Sequence, residues 1–298
     1  MSDVFSAALR ASRFLSDAAS SAAHELGIFD ALPAPAADLG VRLRLPQRRL
    51  SALVRALVAD GALLEEDGHL RRGAVPPRRA FPRAGWGRLA DAIRADRPLP
   101  AAAVDGVAGE ELRRFHDHLR RAGIEAAREV AERLGPEGPL LDLGGGTGIY
   151  AVAFLERYPG ERAVVVDRPD VLELARETPA GAELVPLDLL GPDPWPRGAR
   201  IALLANVLHL FPAADAARLV ERAARSIEPG GIVAVKDFDA ESPAGVLFSL
   251  NMALFTEAGE VHGVEVVRSF FSSAGLRDVS FERLRCAPES ILFLGRAP

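Results

Sequence analysis

An α/β domain built on a mostly parallel sheet and preceded by a helical domain is what this sequence predicts, and three observations carry the prediction. The run Pro139-Leu-Leu-Asp-Leu-Gly-Gly-Gly-Thr-Gly148 joins an apolar strand to a glycine turn that side chains would obstruct. Beyond it, short apolar β runs alternate with helical patterns, as right-handed crossovers require. The last two apolar runs, Asp278–Leu284 and Ser290–Leu294, lie too close for a helical crossover and so predict an antiparallel hairpin.

The elements follow in order. From Phe5 to Leu32, the spacing of Phe14, Leu15, Ala18, Ala22, Leu26 and Phe29 predicts a helix with a buried face of small residues. Between Ala37 and Leu70 the order is helix, turn, longer helix (Gln47 to Asp60) and hairpin, with Asp67-Gly68 as the hairpin turn; that order predicts a winged helix. A Pro/Arg-rich stretch from Val75 to Pro82 reads as a linker, followed by helices around Trp86–Ala95 and Glu110–Leu134. Strands are expected at 139–143, 162–167, 182–187, 200–205 and 231–236. The domain boundaries expected are therefore 1–80 (helical, winged helix), 81–135 (linker helices) and 136–298 (α/β).

Composition narrows the function classes. The chain has 298 residues, 49% of them hydrophobic, enough for packed cores rather than disorder. No apolar run reaches the ~18 residues of a membrane span and no leader pattern opens the chain, so a soluble, cytoplasmic protein with no membrane partner is expected. Residues 1–135 carry 21 arginines against 18 acids, and residues 136–298 carry 15 basic residues against 23 acids. Neither half is a strong magnet for nucleic acid. The single cysteine, Cys286, excludes an intrachain disulfide and reads as a small strand hydrophobe. Lys236, the only lysine, is expected to be a solvated charge.

Three successive strand ends point to a ligand. Gly144-x-Gly146-x-Gly148 ends the first, Asp167 ends the second where a carboxylate can accept both ribose hydroxyls, and Asp188 ends the third where it could accept an adenine amino group. Taken singly, Asp188 would be a turn or capping aspartate. A relaxed dinucleotide fingerprint, Gly146-Thr-Gly148-Ile-Tyr-Ala151, keeps NAD as a rival. The series Gly-rich, Asp, Asp and the terminal hairpin favour S-adenosyl-L-methionine, which has no phosphate.

The segments His24–Leu32, Leu141–Gly148, Asp167–Val171, Asn206-Val-Leu-His209, Glu228-Pro-Gly-Gly231 and Phe248–Met252 together resemble the O-methyltransferases typified by the caffeic acid and acetylserotonin enzymes, over nearly the whole chain. The resemblance implies a Rossmann-like domain that binds S-adenosyl-L-methionine, on a mostly parallel seven-stranded sheet with a C-terminal antiparallel hairpin. It also implies a winged-helix domain that makes a homodimer, and methyl transfer to a hydroxyl of a small aromatic or polyketide-like acceptor. Cofactor contacts are implied at Asp142, Gly144, Gly146, Gly148, Asp167, Arg168, Asp188, Leu189, Asn206 and Phe211. His209 is implied as general base, oriented by Asp237 or Glu260. Substrate contacts are implied at Phe115, His116, Leu119, Phe248, Asn251, Met252, Phe255 and His262, with no metal ligand among them. His116 and His118 diverge by about 200° on a helix, so at most one faces a pocket.

The chain departs from the family pattern at two places. Leu210-Phe211 stands where the family has Asp-Trp, and Ala205-Asn206 where relatives tend to carry a basic residue. These departures keep two enzyme alternatives open: methylation of carbon or nitrogen, including a metal-assisted reaction of a 2-oxo acid through His209 and His262, and non-methylating chemistry on the same fold. A different class, a winged-helix DNA-binding regulator, would use Arg48, Arg49 and Arg55. His24 and His69 read as structural.

Overall fold

The computed structural model describes residues 15–76, 85–98, 123–173 and 182–298. In chain order the helices are α1 (15–25), α2 (Leu39–Leu43), α3 (Gln47–Ala59), α4 (Leu89–Ala95), α5 (123–134), α6 (Ile149–Arg157), α7 (Pro169–Leu172), α8 (Ala213–Ser226), α9 (Pro243–Phe255) and α10 (Val264–Ser273). The strands are β1 (Ala34–Pro35), β2 (Leu63–Glu66), β3 (His69–Arg72), β4 (Leu140–Leu143), β5 (Ala163–Asp167), β6 (Ala182–Pro186), β7 (Ala199–Ala205), β8 (Ile227–Phe238), β9 (Arg277–Arg283) and β10 (Ser290–Arg296). They form two compact units. The described residues up to 98, with 240–260, make the first; those of 123–239, with 261–298, make the second.

In the second unit the sheet order is β6-β5-β4-β7-β8-β10-β9, parallel throughout except for β10, which runs antiparallel to both β8 and β9. β4 is buried at all four residues because it lies between β5 and β7 with helices on both faces. The strand order reverses between β4 and β7, the kind of switch point at whose carboxyl ends such sheets bind ligands. α8 shows why the layers close: Ala216, Leu219, Val220 and Ala223 recur at helical spacing and bury one stripe against the sheet.

The expected terminal hairpin is β9–β10, with Phe281 opposite Phe293. Its connection is pinned by Glu129 of α5, only 6% exposed, whose carboxylate accepts the Arg285 N–H (2.9 Å), the Arg285 Nε–H (3.1 Å) and the Cys286 N–H (3.0 Å). Cys286 is therefore not a strand hydrophobe; it is an exposed thiol on this connection. Burial by itself would raise the Glu129 pKa, but the hydrogen bonds from Arg285 and Cys286 outweigh it and bring the carboxyl down to about 2.

A depressed folded-state pKa means that Glu129 stabilises the fold above its unfolded pKa, and that the contribution is lost as pH falls from about 4.5 to about 2. Glu129→Ala should cost roughly 2–4 kcal/mol at pH 7, since it leaves two backbone donors unsatisfied. Urea unfolding at pH 7 and at pH 3 checks this. The gap between variant and wild type should narrow at pH 3, and a gap independent of pH would refute the charge-based account.

In the first unit α3 buries Leu50, Leu53, Ala56 and Leu57, and the β2–β3 hairpin turns at Asp67-Gly68, both with positive φ (50° and 72°) as a tight primed turn needs. β1 adds a third strand beside β3. Residues 240–260, which the sequence assigned to the 136–298 stretch, pack here instead: Leu247, Leu250, Ala253 and Leu254 of α9 share a core with α3. Arg49, 1% exposed, donates to the Ala253 and Thr256 carbonyls (2.8 and 3.1 Å) and to Asp96 (2.7 Å), satisfying orphan acceptors at the end of α9. Arg48 donates to the Gly259 carbonyl (3.0 Å). Two of the three arginines that a DNA-binding reading would use are thus engaged within the unit. Ala18, Ala19, Ala22 and Ala23 of α1 are likewise buried, so the small-residue face is covered by the chain itself.

Candidate active site

The glycine turn is built by backbone geometry that side chains would spoil. Gly144 and Gly145 both donate to the Val166 carbonyl (2.7 and 3.2 Å), tying the turn to β5. A Cβ on Gly144, at φ +71°, would sit 2.7 Å from Val207, and one on Gly145 would sit 2.7 Å from the Asp142 carboxylate and 2.8 Å from Val165. Gly146, at φ +58°, has nothing within 4 Å of its Cβ position, and Gly148 opens α6 at φ +78°. A cradle of this kind admits a ligand close to the backbone.

Asp167 closes β5, and Asp188 lies two residues beyond the end of β6. Asp167 accepts the Gly146 N–H with Oδ2 (2.8 Å) and the Arg168 N–H with Oδ1 (2.7 Å), so its orientation relative to the glycine turn is fixed while each oxygen retains acceptor capacity. Asp188 is exposed and accepts the Leu190 N–H (3.0 Å), as a turn aspartate does. Leu189 is buried against the Gly144 turn, and the Arg168 side chain is exposed, paired with Asp170. Asp142 lies beneath the turn, with neither oxygen in a hydrogen bond of good geometry. Burial pushes its carboxyl up to about 7 against the pull of the Ala151 N–H, with the Asp167 charge adding to the rise. Acidic strand ends and a glycine cradle suit a sulfonium nucleoside with ribose hydroxyls to donate. They suit a diphosphate less well, because carboxylates repel it.

A second cluster lies at the ends of β7 and β8. After Ala205 the chain turns at Asn206 (φ +59°), whose N–H donates to the Lys236 carbonyl (2.7 Å), and a 3₁₀ turn, Leu208–Leu210, follows. His209 is 4% exposed; its Nδ1 lies 2.6 Å from Asp237 Oδ1 and its backbone N–H donates to Oδ2 (3.1 Å). Burial is the largest influence on Asp237 and disfavours its charge. His209, the Phe238 N–H and the Lys236 ammonium together still hold it below the usual carboxylate range. An ionised Asp237 requires the proton on Nδ1, which makes Nε2 the basic nitrogen of a neutral His209.

Lys236 is a correction to the sequence reading: it is buried, not solvated, and its Nζ donates to Asn206 Oδ1 (2.7 Å). Burial chiefly lowers its pKa, opposed by Asp237 and Glu289. Tyr150, buried at the start of α6, is pushed up by burial first and the Asp142 charge second, against a hydrogen bond with Asn206. Neither placement is legible in the sequence, because a strand lysine and a helix tyrosine carry no periodic signal.

The remaining expected residues distribute unevenly. Phe115, His116, His118 and Leu119 lie outside the described residues. Phe248, Asn251, Met252 and Phe255 fall on α9 in the first unit, at helical spacing and on a different stripe from Leu247, Leu250 and Leu254. Met252 is buried and the other three are half-buried. Glu260 is exposed and belongs to the first unit, while within the second unit Asp237 is hydrogen-bonded to His209. Phe211 is half-buried against the core, Leu210 is 45% exposed, and His262 is buried with Nε2 at the Leu208 and Phe211 carbonyls (3.1 and 3.2 Å). That nitrogen serves the backbone carbonyls of the turn.

Comparison with known proteins decides the family. A profile of the O-methyltransferase domain matches residues 115–277, more than half of the chain. The chain belongs to the O-methyltransferase family. Within that family it is 28% identical over 295 residues to 3-hydroxy-5-methyl-1-naphthoate 3-O-methyltransferase of Streptomyces sahachiroi, covering 87% of this chain and 85% of that one. The structure of human N-acetylserotonin methyltransferase in complex with S-adenosylmethionine matches with TM-score 0.62 at 25% identity, covering 96% and 95% of the two chains. An O-methyltransferase family 2 protein from Planctomyces limnophilus, in complex with apigenin, shares the fold with TM-score 0.72 at 24% identity, covering 98% and 95%. This family member is an S-adenosyl-L-methionine-dependent methyltransferase.

Proposed function

We propose that the enzyme transfers a methyl group to a hydroxyl of a small aromatic or polyketide-like acceptor, with His209 as general base and Asp237 as its orienting partner. The observation that carries this reading is the buried 2.6 Å contact between His209 Nδ1 and Asp237 Oδ1 at the carboxyl edge of the sheet. The names of the naphthoate and acetylserotonin relatives support an aromatic hydroxyl as acceptor. Asp142, Gly144, Gly146, Gly148, Asp167, Arg168, Asp188, Leu189, Asn206 and Phe211 are the residues proposed to hold S-adenosyl-L-methionine. Bound there, it supplies an electrophilic methyl on a sulfonium.

What the protein adds is position and a proton acceptor. Orienting two reactants can contribute ~7–11 kcal/mol. A phenol near pKa 10 facing an imidazole near 6.5 loses its proton at an uphill cost of roughly 5 kcal/mol. Nε2 of His209 takes the hydroxyl proton, and Asp237 stabilises the imidazolium that results. Phe248, Asn251, Met252 and Phe255 are proposed as acceptor contacts on the strength of the family resemblance alone.

Incubation with methyl-labelled S-adenosylmethionine and 2-naphthol, 3-hydroxy-2-naphthoate, N-acetylserotonin, a 2-oxo acid and an arylamine tests the acceptor class. Label on a phenolic oxygen is expected. Label only on carbon or nitrogen would replace the proposal. The first unit is proposed as a winged-helix dimerisation domain on the strength of the family resemblance, and a sedimenting species of about twice 31.7 kDa is the result expected of the same preparation.

A further inference from the structure

We propose that His262 is a positioning residue for His209, clamping the turn that presents it; the inference rests on His209 being the base. The Leu208–Leu210 turn is a single isolated 3₁₀ turn, a weak structure in which few backbone groups bond to one another. Its internal bonds are Leu210 N–H to the Val207 carbonyl (3.1 Å) and Phe211 N–H to the Leu208 carbonyl (3.0 Å). The carbonyls of Leu208 and Phe211 bracket His209, and the Nε2–H of His262 forks between them at 3.1 and 3.2 Å. Asp237 grips the same residue from the other side, at the ring and at the backbone N–H. His209 is thereby held through its imidazole, its own N–H and the two carbonyls around it.

The clamp is itself packed in place. His262 is buried just before Gly263, the N-cap of α10, and its ring meets the Phe270 ring edge-on at 5.4 Å, with Phe270 in the core of the sheet layer. A donor to two carbonyls needs its proton on Nε2, and that proton is present in one neutral tautomer and in the imidazolium alike. The contact therefore survives protonation of His262. It also commits Nε2 to the backbone, which leaves that nitrogen unsuited to a metal or a substrate.

The test needs no acceptor. In protein labelled with ¹⁵N-histidine, the His209 Nδ1 proton is assigned by its loss in His209→Gln, and its exchange with water is followed in wild type, His262→Ala and His262→Gln, each with saturating S-adenosylhomocysteine. His262→Ala is expected to speed this exchange about tenfold or more, equivalent to ~1.4 kcal/mol. His262→Gln, whose amide donor reaches as far as Nε2, is expected to remain within about threefold of wild type. Unchanged exchange in His262→Ala would overturn the proposal, and so would equal acceleration in both variants, which would assign His262 to packing alone. A His209→Ala enzyme that still turned over would sink the base reading but not this result, so the two failures are distinguishable.

Discussion

His209→Ala should lower kcat by about 10²–10⁴-fold while leaving affinity for S-adenosylhomocysteine within about threefold of wild type. The separation follows from placement: His209 is gripped by Asp237 of β8, whereas the glycine cradle is formed by the β4–α6 turn and Asp167 of β5. Asp237→Asn should lower kcat by a similar amount with a different signature. An amide at that place can present its N–H₂ to Nδ1, favouring the tautomer with the proton on Nε2 and removing the basic nitrogen from the acceptor. It also removes a carboxylate whose charge favours the buried Lys236 ammonium, so a lower melting temperature is expected as well. Steady-state rates, calorimetry and thermal melts of both variants decide the matter. Undiminished turnover in His209→Ala would mean that orientation alone carries the reaction.

The second large effect is expected at the glycine turn, where neighbouring glycines should fail in different ways. Gly145→Ala puts a methyl 2.7 Å from the Asp142 carboxylate and 2.8 Å from Val165, both in the packed interior, so its main cost is folding stability. Gly146→Ala meets nothing within 4 Å and costs only the left-handed strain of an alanine, about 1–2 kcal/mol. Its methyl fills the cradle instead. Gly146→Ala should weaken S-adenosylhomocysteine binding by roughly 10–100-fold, about 1.4–2.8 kcal/mol, with a folded protein. Asp167→Ala should lose a similar amount, because it removes the acceptor proposed for the ribose and releases the Gly146 N–H. Titration calorimetry reads both. Full affinity in Asp167→Ala would show that this cleft is not where the cofactor binds.

Much of the second unit was legible because each of its signals is local. The apolar run Leu140–Leu143, the Gly144–Gly148 turn and the aspartate closing β5 need only neighbours in the chain to be recognised, and the short gap before Ser290 excludes a crossover by length alone. The helix–helix–hairpin order of residues 37–72 was legible for the same reason, down to the Asp67-Gly68 turn. The membership of α9 was not. Its residues are apolar all round, and periodicity cannot say which core such a helix joins.

The sequence by itself determined the α/β class, the glycine cradle, the aspartates at the strand ends and His209 as a candidate base. The tertiary structure alone decided that Asp237 holds Nδ1, that Lys236 is buried on Asn206, that Arg49 closes α9, and that the carbonyls around His209 are bonded by His262, 54 residues from Leu208. The division has one physical cause. Backbone conformation and amphipathic period are dictated over a few residues, whereas the partner of a buried polar group is whichever side chain the packed strands and helices bring within about 3 Å of it, at any separation along the chain.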